Sequence, residues 1–291
     1  MSERVVGLID VFAQEPLSGN PLAVVEDADG LTDEEMRRVA GELNQAETTF
    51  LLRSTLADCR LRSFTAAGVE VFGAGHNALG AWLWLGERGA LGPLEGPHIF
   101  HQEIGEEVLP IVLERVDDRV QGRMRQSSLR LLPPVTDVAP LAAALGLDAG
   151  AILTSPAPRP AHTGATHLLV RARDATIVDR AAPDHQLLRI VLRNAGAEGC
   201  YLYALDQRGP ERAYARFFNP TVGLWEDAAT GTAAGPLAAY LAHENVLRDP
   251  SLVIEQGVKM GRRSLLQVRL TPEPELTGAG VVVLQGTLRY S

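Results

Sequence analysis

The feature that most limits the fold is an order of elements that occurs twice along the chain. In the first half, turn-poor apolar runs predict strands at 5–12 and 22–25, separated by the turn-rich segment 15–21. Thr32-Asp33-Glu34-Glu35 then reads as a capping box, and Met36, Val39, Ala40 and Leu43 recur at helical spacing up to Asn44. Strands follow at 48–52 and 60–65, and an apolar helix opens at Gly75 and ends near Gly86. The second half predicts a strand at 167–172, a helix at about 184–193, strands at 200–205 and 213–219, and a small-residue helix from Gly231. Local sequence echoes that order. Arg62-Ser63-Phe64-Thr65 precedes Ala74-Gly75-His76, as Arg216-Phe217-Phe218-Asn219 precedes Thr230-Gly231-Thr232. Four elements in the same order around the echo indicate an internal duplication, two similar α+β domains facing one another.

Length agrees with two domains, since 291 residues exceed what one core commonly serves. The boundary is expected near 129–138, where Leu132-Pro133-Pro134 interrupts a strand-like pattern. That assigns 1–130 to the first domain, with the Val/Leu-rich final strand, 282–291, open to belonging to it, and 131–281 to the second.

Charge and residue usage narrow the function classes. Against 27 basic residues stand 36 acidic ones, a net charge of −9 that repels phosphate backbones and anionic lipid, so neither nucleic acid nor membrane is the expected partner. Of the basic residues only Lys259 is a lysine, and Met260 follows it, which removes the P-loop and leaves a pyridoxal-phosphate enzyme one candidate amine. Cys59 and Cys200 form neither a disulfide framework nor a Cys-x-x-Cys site, and Asp10 interrupts the first apolar run before a signal core can form. A cytoplasmic protein is the expectation. His98 and His101, with Glu103 nearby, invite a metal site, but residues three apart on a strand point to opposite faces, so none is expected.

Two glycines at expected helix starts, Gly75 and Gly231, are each preceded by an acid-containing stretch, Glu70 in one case and Glu226-Asp227 in the other. The first amides of a helix lack internal partners and sit at the positive end of its dipole, so a carboxylate docks there. Close packing of two buried helices explains the same glycines equally well. Glu47 lies between the first helix and a β-prone run. Asn44-x-x-Glu47 resembles a capping box, but the β-branched and aromatic residues that follow favour a strand and open an acid–base role. His76 at an apolar helix start reads either as a neutral hydrogen-bonding ring or as a satisfied buried histidine, and Asp227 either as a site residue or as an acidic helix cap. A separate reading takes 73–78 as a dinucleotide fingerprint with Ala78 at its third position, which would make the chain a nicotinamide oxidoreductase.

Several separated motifs together resemble the PhzF-like family of phenazine-biosynthesis isomerases, built on the diaminopimelate-epimerase fold. They are Asp10-Val11-Phe12 with Gly19-Asn20-Pro21, the run around Glu47, Ala74-Gly75-His76, and Glu226-Asp227 through Thr230-Gly231-Thr232; Gln256-Gly257 with Gly261-Arg262 adds a match near the C-terminus. The resemblance implies two barrel-like mixed sheets, each around a central helix, with the active site in the cleft, a homodimer and no cofactor. It implies a proton-transferring role for Glu47, and roles for His76, Asp227, Gly75, Gly231 and Thr232 in lining and orienting a small anionic substrate. Two-thiol racemases of the same fold carry cysteines where this chain has Ala74 and Thr230, which points away from that chemistry. Phe72-Gly73 and Asn77 depart from the family pattern, so the floor of the substrate pocket is expected to differ. A non-catalytic binding protein on the same fold is the remaining alternative.

Overall fold

The computed structural model describes residues 2–205 and 212–290; Met1 and Ser291, the outer ends of the expected first domain and final strand, lie outside it. The elements run β1 (Ser2–Val11), β2 (Asn20–Val25), α1 (Asp33–Leu43), β3 (Glu47–Leu52), β4 (Cys59–Thr65), β5 (Glu70–Val71), α2 (His76–Glu87), β6 (His98–Ile104), β7 (Glu107–Val116) and β8 (Arg119–Arg125). They continue as β9 (Arg130–Leu131), α3 (Ala139–Ala144), β10 (Arg159–His162), β11 (Thr166–Arg171), α4 (Ala175–Arg180), α5 (His185–Ala195), β12 (Gly199–Leu205) and β13 (Arg212–Asn219). The chain ends with β14 (Leu224–Asp227), α6 (Gly231–His243), β15 (Ser251–Gln256), β16 (Ser264–Leu270) and β17 (Pro274–Tyr290). It divides into two compact units, one of Met1–Met124 with Thr277–Ser291, the other of Arg125–Leu276.

In the first unit β1 pairs antiparallel with β2, β2 parallel with β3, β3 antiparallel with β4, β4 parallel with β6, and β6 antiparallel with β7. β7 continues antiparallel to β8, β8 pairs with β17, and β17 returns antiparallel to β1, which closes an eight-stranded barrel. Closure leaves no free strand edge among these eight. In the second unit the pairs β10/β11, β11/β12, β12/β13, β13/β15 and β15/β16 run antiparallel, parallel, antiparallel, parallel and antiparallel. That is the order of senses found from β1 to β7. The expected duplication is thus written into strand pairing and not only into the short Arg-x-Phe echo.

Helix α2 shows why the strands must surround it. Residues 77–84 and Gly86 are all buried, so the helix has no polar face to offer water, and such a helix is stable only when enclosed. Trp82 and Trp84 are its largest side chains, at 1% and 0% exposure. Glycines on the barrel wall make room for it. A Cβ on Gly7 of β1 would stand 1.9 Å from the Trp84 ring, one on Gly122 of β8 2.4 Å from Leu79, and one on Gly278 of β17 2.9 Å from Leu79. Gly7→Ala is therefore expected to destabilise the protein by about 1–3 kcal/mol, seen as a lower thermal midpoint, because a close-packed interior has no slack for the extra carbon. An unchanged midpoint would mean that Trp84 can move aside.

Helix α1 begins as expected. Thr32 Oγ1 accepts from the Glu35 amide at 3.3 Å, and the Glu35 carboxylate accepts from the Thr32 amide at 2.8 Å. Its buried residues Met36, Val39 and Ala40 pack with Phe50 and Phe64. Strand β3 is covered on both sides, by α1 through Phe50 and by α2 through Thr49, whose hydroxyl reaches the Asn77 carbonyl at 3.4 Å. Double coverage explains why 48–51 are all buried instead of alternating. In the second unit α3 and α5 cover β11 and β12 around Leu168, Leu188 and Leu202, and α6 packs on β10, β11, β15 and β16. Among the described residues no helix is long and apolar enough to cross a membrane.

Candidate active site

Each helix start is held by an arginine clamp that the echo motif encodes. Arg62 on β4 binds the Glu70 carboxylate through both Nε and Nη2, at 2.7 and 2.8 Å, and Arg216 on β13 does the same to Glu226, at 2.8 and 2.7 Å. These two-point pairs are the strong kind of charged hydrogen bond, and each fixes the short strand that leads into a helix. Arg216 also donates to the carbonyls of Val178 and Ala181. The acids before the two glycines, Glu70 and Glu226, are thus spent on structure, their charge matched by the arginines and not by the helix starts.

At the α2 start a buried polar net sets the backbone. Asn77 Oδ1 accepts from the Gly75 amide at 2.8 Å, and Asn77 Nδ2 donates to Gly73 O at 3.0 Å and to Ser63 Oγ at 3.1 Å. Ser63 in turn shares a 2.9 Å hydrogen bond with Thr49. Asn77, one of the departures from the family pattern, is 2% exposed and ties the approach to α2 to β4. The Gly75 amide that a dinucleotide fingerprint would aim at pyrophosphate is already committed to Asn77, which removes the observation favouring a nicotinamide site. Nor is Gly75 a packing glycine: a Cβ there would meet nothing closer than Asn77 Oδ1 at 3.4 Å.

Glu47 opens β3, beyond Asn44, whose backbone adopts the left-handed conformation that ends α1. The capping-box reading of Asn44 and Glu47 is therefore wrong, because residues 47–52 pair with β2 and β4 as a strand. The two-residue period of the strand puts Glu47 on the same side as Thr49, the side facing α2. There Glu47 Oε2 lies 3.9 Å from His76 Nδ1. That oxygen is buried with no hydrogen-bond partner, and burial raises the Glu47 pKa to about 7. A carboxyl poised near neutrality can both take and return a proton.

The other expected residues lie in the second unit. Asp227 ends β14 and is 9% exposed; the Thr230 hydroxyl donates to its Oδ2 at 2.6 Å. Gln256, fully buried at the end of β15, donates to Asp227 O at 2.8 Å and to Thr230 Oγ1 at 3.0 Å, while its Oε1 accepts from the Thr230 amide at 3.2 Å and from Tyr201 OH at 2.9 Å. Gly231 and Thr232 are the first two residues of α6, and Gly231 O accepts from Gln126 at 2.9 Å. His167 on β11 lies 3.1 Å from Thr232 Oγ1. In the first unit the structure thus brings Glu47, Gly75 and His76 together; in the second it brings Asp227, Gly231 and Thr232 together.

Sequence reasoning missed Asn77, Ser63 and Thr49 as a positioning net, and it missed His167 and Tyr201. Gln256 was visible only as a motif match. Matching Phe50, which pairs with Arg62, to Leu202, which pairs with Arg216, puts Gly199 in the place of Glu47, and aligning Glu70 with Glu226 puts Thr232 in that of His76. The Glu47–His76 pair therefore belongs to one copy of the duplication. The cysteines contribute no thiolate, since burial pushes Cys59 up to about 11 and Cys200 up to about 12.

Comparison with known proteins agrees with this architecture. The family model described as phenazine biosynthesis-like protein matches residues 9–286. The trans-2,3-dihydro-3-hydroxyanthranilate isomerase of Pseudomonas aeruginosa is 34% identical over 288 residues, which cover 96% of this chain and 97% of that one. A PhzF-family phenazine biosynthesis protein of Bacillus anthracis superposes with a TM-score of 0.87 at 28% identity, covering both chains completely. A hydroxyproline epimerase of Agrobacterium vitis, 12% identical, shares the fold with a TM-score of 0.68 over 99% of this chain and 91% of its own. With the family model spanning nearly the whole chain and the mixed barrel shared by isomerases and epimerases alike, the chain belongs to the PhzC-PhzF family of phenazine biosynthesis-like proteins and is an isomerase of that family.

Proposed function

We propose that the chain moves a proton between two carbons of a small carboxylate-bearing substrate, without a cofactor, using Glu47 as its acid–base. The observation that carries this reading is the Glu47 carboxyl: buried, unpartnered at Oε2 and held near neutrality beside His76. In its ionised form Glu47 takes the proton from a C–H bond. The electron pair left behind moves into the substrate's conjugated system, and the protonated carboxyl, whose proton can exchange with water before transfer, then delivers a proton to a second carbon. One acid–base group working from one side of the substrate favours a shift along one face over inversion at a single carbon, which needs a second proton carrier on the opposite face. The positions where two-thiol racemases of this fold carry their cysteines hold Ala74 and Thr230 here, which supply no such carrier.

His76 and Asp227 assist, and Gly75, Gly231 and Thr232 bind the substrate, as the family resemblance assigns them. The commitment of the Gly75 amide to Asn77 shifts the anion-binding share at α2 to the amides that follow it. Lys259, the sole lysine, is exposed on a single turn, which does not suit an internal aldimine. The relative's named substrate, trans-2,3-dihydro-3-hydroxyanthranilate, is the first compound to try. Incubated in heavy water with it and with a panel of small amino and hydroxy acids, the protein is expected to incorporate deuterium at carbon in at least one compound, followed by NMR. Incorporation that persists in Glu47→Gln would remove Glu47 from the chemistry, and binding without exchange for every ligand would favour the non-catalytic reading.

A further inference from the structure

His167 is buried to 3% exposure and lies edge-on to Phe217, with ring centroids 4.9 Å apart. Its Nε2 is 3.1 Å from Thr232 Oγ1, while its Nδ1 is buried with no hydrogen-bond partner. Burial, with His162 nearby, lowers its pKa to about 3, so the ring carries one proton at neutral pH. That proton has two places to sit. On Nδ1 it would be an N–H donor buried without an acceptor, a rare and unfavourable state. On Nε2 it reaches Thr232 Oγ1 and leaves only a lone pair unmet at Nδ1.

We propose that His167 is a positioning residue: its Nε2–H donates to Thr232 Oγ1, which commits the Thr232 hydroxyl to donate its own proton outward, at the start of α6, to the carboxylate of the substrate. A hydroxyl can turn to give or to accept; one already accepting from His167 is preset to give. The inference rests on the proposed function for the identity of the ligand. The state of the ring stands independently of it. Thr232 is the second residue of α6, where unsatisfied amides already favour an anion, and a preset hydroxyl adds a neutral donor without a charge that must be buried. The duplication makes the contrast plain: the position that carries an ionisable His76 in the first unit carries a threonine here, oriented by a histidine from a neighbouring strand.

The test uses the full chain labelled with 15N-histidine. Long-range proton–nitrogen correlation at neutral pH is expected to show the His167 ring protonated on Nε2 and bare on Nδ1. Its signal is assigned by its loss in His167→Phe, which keeps an aromatic ring against Phe217, or by its displacement in Thr232→Val should the first variant not fold. A proton on Nδ1, or on both nitrogens, overturns the inference while leaving the proposed function intact. For the compound that exchanges in heavy water, His167→Phe and Thr232→Val are each expected to raise KM about tenfold with kcat within about twofold, the worth of one hydrogen bond. The double variant should be no worse than either single one, and His167→Gln, which retains a donor, should recover most of the loss. A fall in kcat at unchanged KM, or additive losses, overturns it as well. Should no compound exchange, the proposed function fails alone and the ring measurement decides the positioning role.

Discussion

Glu47→Gln is expected to lower the rate of proton transfer by about 10²- to 10⁴-fold, the usual share of a positioned general acid–base, while substrate affinity stays within several-fold. The amide keeps the shape of the carboxyl and removes its proton chemistry. In the wild type kcat/KM should rise as pH passes through about 7, because the ionised form is the one that attacks a C–H bond, and that limb should vanish with the variant. The same substitution should change stability in the opposite direction. Burial raises Glu47 from 4.5 to about 7 in the folded state, so folding favours the protonated form. Its contribution is complete below pH 4.5, is lost as pH rises towards 7, and leaves the folded state poorer by roughly 3 kcal/mol above that. Glu47→Gln should therefore raise the urea midpoint at pH 8 and leave it nearly unchanged at pH 4. Equal midpoints at both pH values would mean that the carboxyl is solvated in the folded protein. A more stable and inactive variant is the signature of a group kept for chemistry at the expense of stability.

Gln256→Leu is expected to destabilise the protein by about 3–6 kcal/mol, because three buried polar groups lose their partner at once. Leucine matches the size of the side chain but strands Tyr201 OH, the Thr230 amide and the Asp227 carbonyl, which now share one fully buried amide group. Each unsatisfied buried group costs about 1–3 kcal/mol, and the three lie too close together for one repacking to restore them all. Activity should fall in the folded fraction too, because Gln256 also holds the Thr230 hydroxyl that donates to Asp227. A loss under about 1 kcal/mol in the unfolding free energy would show that water takes the place of the amide.

Much of the secondary structure was legible because it is written in short range. The Thr32 to Glu35 capping box and the spacing of Met36, Val39 and Ala40 place α1 to within a few residues, since caps and helical periodicity involve neighbours along the chain. The Asp184 side chain caps α5 at the Gln186 and Leu187 amides, near where the second-half helix was expected. The Arg-x-Phe echo pointed to duplication because the arginine clamp needs its glutamate a fixed distance before the helix: Glu70 precedes Gly75 by five residues, as Glu226 precedes Gly231.

Other features depend on contacts between residues far apart in sequence. The residues after Glu47 already favoured a strand over a cap, but only pairing with β2 and β4 made Glu47 the first residue of a strand facing α2. Asn77 looked like a weakened family motif until Ser63, Gly73 and Gly75 were found around it. Gly7 had no meaning in the sequence, since only the closure of the barrel brings it against Trp84, 77 residues away. By itself the sequence determined the kind and order of the elements, the duplication and the family motifs, because propensity, capping and local pattern act between neighbours. Only the tertiary structure decided which carboxyl is largely withdrawn from water and raised towards neutrality, and which histidine nitrogen meets a hydroxyl, because desolvation and hydrogen-bond partnership are set by strands and helices that meet only in the folded chain.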